Sequence, residues 1–218
     1  MKRTTLAIAT AAALVTAACL QKDTTSTIYL RSNGSFTWVI LEQNVRSDER
    51  DDAARLAEEA GYVDGVSRGD SDMINSLFAL GAKDVHVRWL RSTRPYAVMV
   101  DARFDNIAGV FDRALASCGL PYESSVTQLD GVATWILRAD VGVDGDRLTD
   151  GALEGCGNSL DGLDEALDFT IVLESGTITA ATGFLITGTD TAAVDEKTIE
   201  EHVKSTGVVE LSLSWTTR

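Results

Sequence analysis

The sequence predicts an α+β fold: an antiparallel sheet built from β-hairpins, with about four helices packed on one face. Two observations predict it. Runs that alternate apolar and polar residues come in pairs around Asn33-Gly34 and Asp130-Gly131, residue types that tolerate the positive φ of tight hairpin turns. Between the pairs lie segments with apolar residues three and four apart, bounded by Asp, Ser or Gly, the pattern of an amphipathic helix with its caps.

The first hairpin is Thr25–Arg31, with Ile28 and Leu30 alternating, then Ser32-Asn33-Gly34, then Ser35–Val45 with Phe36, Trp38 and Ile40. Ser47 and Asp48 open an acidic helix that Gly61 ends, and a second helix over Ser71–Leu80 sets Met73, Ile74, Leu77 and Phe78 on one face. Val85, Val87 and Trp89 then alternate in a strand, partnered after Pro95 by Tyr96–Arg103. Asp105 caps a third helix, Asn106–Ser117, at whose end stands Gly119. The second hairpin joins Tyr122–Leu129 to Val132–Val141. From Gly142 to Asp168 the chain is rich in Gly and Asp and reads as loop, with a helical turn near Leu160–Leu167. Strands at Phe169–Glu174, Thr177–Ala181, Phe184–Ile186 and Val208–Thr216, and a helix at Asp195–Lys204, complete the chain. Trp38, Trp89, Trp135 and Trp215 all fall on strands; core packing explains them, and an apolar ligand pocket between sheet and helices is the sharper alternative.

The N-terminus has a different character. Lys2 and Arg3 precede an uncharged, Ala-rich run from Leu6 to Ala18, which has the length of a signal-peptide h-region and falls short of the about 20 residues needed to span a bilayer. It ends in Val15-Thr16-Ala17-Ala18-Cys19-Leu20, which resembles the lipobox of bacterial lipoproteins. The resemblance implies cleavage before Cys19, acylation of its thiol, and membrane attachment through the acyl chains, with palmitate among the candidate acyl groups. Thr16 stands where the family usually has an aliphatic residue. An ordinary secretory peptide cleaved at an Ala-x-Ala-like site is the alternative. The resulting organisation is a signal peptide at 1–18, a lipidated tether at 19–24 and one exported α+β domain at 25–218. Leu20 after the cysteine resembles the default signal for the outer membrane, facing the periplasm, in a host with two membranes.

The 218-residue chain carries a formal net charge of −14, and loss of Lys2 and Arg3 leaves 17 cations against 33 acids, or −16. That balance argues against nucleic acid as a partner and against binding anionic lipid through the protein surface, since both would be repelled. Beyond the membrane itself, the partner expected is a hydrophobic small ligand or an envelope protein. Cys118 and Cys156 remain after Cys19; in an oxidising compartment they are a candidate disulfide, worth about 3 to 4 kcal/mol for a loop of about 38 residues, with two unpaired buried thiols as the alternative. No cofactor motif occurs.

Other patterns invite chemistry. Gly65-Val66-Ser67-Arg68-Gly69 matches the Gly-x-Ser-x-Gly nucleophile elbow, with His202 downstream, but an elbow needs a buried strand entering the turn, and an acidic helix precedes it here. An envelope serine hydrolase is therefore the minor alternative to a non-enzymatic binding domain, as is a purely structural envelope lipoprotein. Arg68-Gly69-Asp70 is a three-residue adhesion-type match of a kind that arises by chance. Asp140, Asp144, Asp146 and Asp150 could offer oxygens to Ca²⁺, yet Gly142 and Gly151 fill two required EF-hand ligand positions. His86 and Arg88 share a strand side with Asp101 and Arg103 if Val98 and Val100 face the core, making His86 and Arg88 candidate ligand contacts. The stretch Phe169 to Phe184, with Gly176, Ile178 and Ala181 in a turn after a strand, resembles LppM-like bacterial lipoproteins over those residues alone and implies no site residue.

Overall fold

The computed structural model describes residues 20–116, 121–142 and 169–217. The strands are β1 (Leu20–Leu30), β2 (Phe36–Ser47), β3 (Asp84–Arg91), β4 (Tyr96–Phe104), β5 (Tyr122–Leu129), β6 (Val132–Asp140), β7 (Thr170–Leu173), β8 (Ile178–Thr182), β9 (Phe184–Ile186), β10 (Thr191–Val194) and β11 (Val208–Thr216). The helices are α1 (Asp52–Arg68), α2 (Asp72–Ala79), α3 (Ile107–Ala116) and α4 (Glu196–Thr206).

The α+β class holds, but the single antiparallel sheet does not. The strands form a seven-stranded sheet in the order β3-β4-β2-β1-β7-β10-β9 and a four-stranded sheet in the order β5-β6-β11-β8. The β1–β7 pair is parallel, Ile28 opposite Ile171, so the larger sheet is mixed. Both predicted hairpins form, with Thr27 opposite Val39 and Gln128 opposite Ala133. Nor do the helices share one face: α1 packs on β2 and α2 on β3, whereas α3 packs on β5 and β6 and α4 on β11. Alternation says which face of a strand is buried; it does not say which distant strand fills a free edge.

One core lies between these layers. Ile28, Leu30, Phe36, Trp38, Val98 and Val100 of the larger sheet and Trp135, Leu137, Leu211, Leu213 and Trp215 of the smaller are buried in one apolar cluster. Phe111 of α3 packs its ring 5.0 Å from Trp135 and 6.1 Å from Phe169. Trp38, Trp135 and Trp215 are therefore core residues, and Trp89 lies edge-on to Tyr62 and Tyr96.

Several boundaries depart from expectation. Within the tether expected at 19–24, the described residues from Leu20 on are β-strand, with Leu20 opposite Ser47. Helix α1 runs past Gly61 to Arg68 and ends at Gly69, a left-handed C-cap at φ 75 whose N–H returns to the Gly65 and Val66 carbonyls. Gly69 needs that conformation and Gly61 does not, which is why the later glycine is the stop. Asn106, not Asp105, caps α3 by accepting from the Ala108 N–H at 2.8 Å; Asp105 pairs with Lys83 instead. Strand β10 carries no sequence signal of its own, because its four residues are too few to show a period.

Candidate functional site

The most unusual chemistry lies under α1, where two carboxylates are buried at 2% exposure each, Glu42 on β2 and Glu59 on α1. Residues 59, 62 and 66 of α1 sit three and four apart and so face one way, and that face meets β2. Removing a carboxylate from water costs several kcal/mol unless it is paired and hydrogen-bonded. Glu42 accepts from the Lys22 ammonium and from the Tyr62 hydroxyl, each at 2.5 Å. Glu59 accepts from the Ser47 N–H at 3.0 Å and pairs with the Arg94 guanidinium at 2.9 Å. The Glu58 Oε2 is also buried, with no hydrogen-bond partner.

Burial, then the hydrogen bond to Glu42, then its negative charge, push the Tyr62 hydroxyl well above its ordinary value. It stays protonated and acts as a donor. Lys22 and Arg94 keep their outer ends in water while covering the carboxylates. The cluster thereby ties β1, β2, α1 and the β3–β4 turn together. Its arrangement suits holding α1 on the sheet. Glu59, Tyr62 and Val66 have helical spacing in the sequence, but a helix ended at Gly61 leaves Tyr62 and Val66 outside it, and a lone Glu59 in an acidic helix reads as solvated.

The sequence-predicted candidates are scattered. His86 and Arg88 do share the outer side of β3, with Val98 and Val100 fully buried beneath. His86 Nδ1 lies 3.3 Å from Asp101, Arg88 reaches the Met99 sulfur at 3.6 Å, and Arg103 pairs with Asp84. These are cross-strand neighbours in an open sheet face, not a pocket. Ser67 is exposed in the last turn of α1 and His202 lies on α4, so Gly65–Gly69 forms a helix end, not a strand-to-helix elbow. Arg68 of the same segment is paired with Asp64 and Asp70. Asp140 ends β6, where its carboxylate accepts from the Gly142 N–H at 3.2 Å. Cys19, Cys118, Cys156, Asp144, Asp146, Asp150 and the turn near Leu160–Leu167 lie outside the described residues. Among the described residues, no group of three Cys, His, Asp or Glu side chains is arranged to hold a metal.

A polar concavity of about 530 Å³ opens where β1 starts and β2 ends, lined by Leu20 to Thr24, Asn44 and Arg46. Asn44 there adopts φ 54 and donates to Asp23 at 2.5 Å; Arg46 donates to Gln21 at 3.3 Å.

No family model and no curated protein sequence matches the chain. Among solved structures, the folded domain of LppM from Mycobacterium tuberculosis is similar, at 12% identity and a TM-score of 0.35, over 90% of this chain and 93% of that one. No residue role is carried across from it.

Proposed function

We propose that this chain is exported, acylated at Cys19, and works as a membrane-tethered, non-enzymatic domain that binds a ligand or protein partner in the cell envelope. The observation that carries this reading is Val15-Thr16-Ala17-Ala18-Cys19, which follows Lys2, Arg3 and an uncharged run and directly precedes β1. Two or three acyl chains hold a protein at a membrane without a spanning helix, since each buried CH₂ contributes about 0.8 kcal/mol. No helix among the described residues is long and apolar enough to cross a membrane.

Fractionation of cells carrying Cys19→Ala tests the anchor. The protein is expected to accumulate unprocessed or to leave the membrane fraction; a variant that is both cleaved and tightly bound refutes the reading. In-cell cross-linking and extraction of bound lipid test the binding role, which fails if neither neighbour nor ligand is recovered. The same export reading joins Cys118 to Cys156, and thiol titration of the unreduced mature protein then finds neither sulfur free.

A further inference from the structure

We propose that β9 is a pairing edge for a second copy of this chain, the two strands running antiparallel about a two-fold axis at Leu185. Acylation of Cys19 plays no part in it. The outer strands of the two sheets are β3, β9, β5 and β8. Sheets protect such edges with charge, proline or a bulge, because their unpaired backbone groups are a template for another strand. The β3 edge carries Asp84, His86, Arg88 and Arg91, the β5 edge carries Glu123, and the ladder of β8 with β11 shifts register between Ser214 and Trp215. Strand β9, Phe184-Leu185-Ile186, has none of these devices, and Leu185 and Ile186 are 59% and 50% exposed. No charged residue stands between Glu174 and Asp190, in a chain of which 24% is charged.

The backbone of this edge is self-complementary. In the β9–β10 hairpin the Asp195 N–H donates to the Gly183 carbonyl and the Thr187 N–H to the Thr191 carbonyl, each at 3.0 Å. Hydrogen-bonded pairs alternate along an antiparallel ladder, so Leu185, opposite Ala193, turns its N–H and carbonyl toward β10. Phe184 and Ile186 turn theirs to the free edge. A second β9 centred on Leu185 sets Phe184 of each copy against Ile186 of the other, and each pair exchanges both backbone bonds. The same register faces the two Leu185 side chains and lays each exposed Ile186 beside Phe184 of the other copy. Charge favours the meeting here: copies of net charge −14 repel one another over most of their surface. The acids nearest in sequence, Asp190 and Asp195, belong to the β10 side of the hairpin. They lie two strand spacings, about 10 Å, from the facing edge, beyond the about 8 Å screening length at physiological salt. Three residues a side make a small contact, so the dimer is reversible.

Cysteine cross-linking of the purified full chain tests the pairing. In this register the two Leu185 Cβ atoms lie about 4.5 Å apart, within reach of a disulfide. Under mild oxidation, Leu185→Cys is expected to form a covalent dimer several-fold faster than Thr187→Cys on the same edge or Leu129→Cys, whose position is the more exposed at 75%. The unsubstituted chain supplies the background from its own cysteines. Ile186→Pro removes an N–H that only the second copy receives and leaves the β9–β10 bonds in place. Leu185→Cys combined with Ile186→Pro should therefore cross-link no faster than the controls, and Ile186→Lys makes the same test by charge if the proline variant fails to fold. Equal rates at the three positions, or a Leu185→Cys advantage that survives both substitutions at Ile186, overturns the pairing. In intact cells, capture of Leu185→Cys by a different polypeptide and never by its own copy overturns the choice of partner.

Discussion

The Tyr62 hydroxyl of α1 donates to the buried Glu42 carboxylate of β2 at 2.5 Å. This bond crosses the seam between the helix and the sheet, and several consequences of it are measurable.

Tyr62→Phe leaves the ring in place against Trp89 and removes one of the two donors to Glu42. A buried acceptor deprived of a partner costs about 1 to 3 kcal/mol. Urea denaturation should report that loss, with the slope unchanged because the fold is the same. A variant as stable as the parent would mean that Lys22 alone satisfies the carboxylate.

Alkaline pH should act through the same residue. Its folded-state value is raised, so the native state keeps its proton while the unfolded chain loses it above about pH 10. The unfolded state then binds fewer protons, and stability falls as pH rises past that point, by about 1.4 kcal/mol per pH unit from this group. Below it the contribution is complete. The difference in stability between parent and Tyr62→Phe should therefore be constant up to about pH 10 and shrink above it; a difference that stays flat through that range contradicts the assignment.

Two glycine substitutions should have opposite signs. At Gly176, φ is +100° and an added Cβ would meet the Thr216 carbonyl oxygen at 2.2 Å, so Gly176→Ala should lower stability by at least about 2 kcal/mol through strain and the displaced edge of β11. Gly61 lies inside α1 with nothing within 4 Å of its would-be Cβ, and Gly61→Ala should raise stability by about 0.5 to 1 kcal/mol. Thermal melts of the two variants against the parent check both signs.

Ser67→Ala should change stability by no more than about 0.5 kcal/mol, as an exposed position in the last turn of a helix. An ester-hydrolysing activity in the purified parent that disappears in this variant would restore the serine-hydrolase reading against the helix-end geometry.

Much of the fold was legible because its signals are local. At Asp130-Gly131 both turn residues take the positive φ that the pair signals, whereas in the first turn only Gly34 does and Asn33 instead accepts from the Ser35 N–H at 3.0 Å; alternation about Trp38, Trp135 and Trp215 marks the buried side of each strand, borne out by their burial. Helix α1 continues through Gly61, since a glycine there costs helix stability without ending the helix. The helical spacing of Glu59, Tyr62 and Val66 was present in the sequence, but their partners Glu42 and Arg94 were not legible from it. Charged residues at helical spacing read as a solvated stripe, and only the approach of β2 turns that stripe inward.

By itself, the sequence determined the α+β class, the two hairpins, the strand-borne apolar residues of the core such as Ile28, Trp38, Trp135 and Trp215, and the lipobox-like Cys19, each a property of neighbouring residues or of short periods; Phe78, expected on the apolar face of the second helix, is 50% exposed. Tertiary structure alone decided the division into two sheets, the parallel β1–β7 pairing, the buried carboxylates beneath α1 and the position of Leu20 within the ladder. The reason is physical: a residue's period tells which way it points, whereas its partner, and so its desolvation, depends on segments brought together from far along the chain.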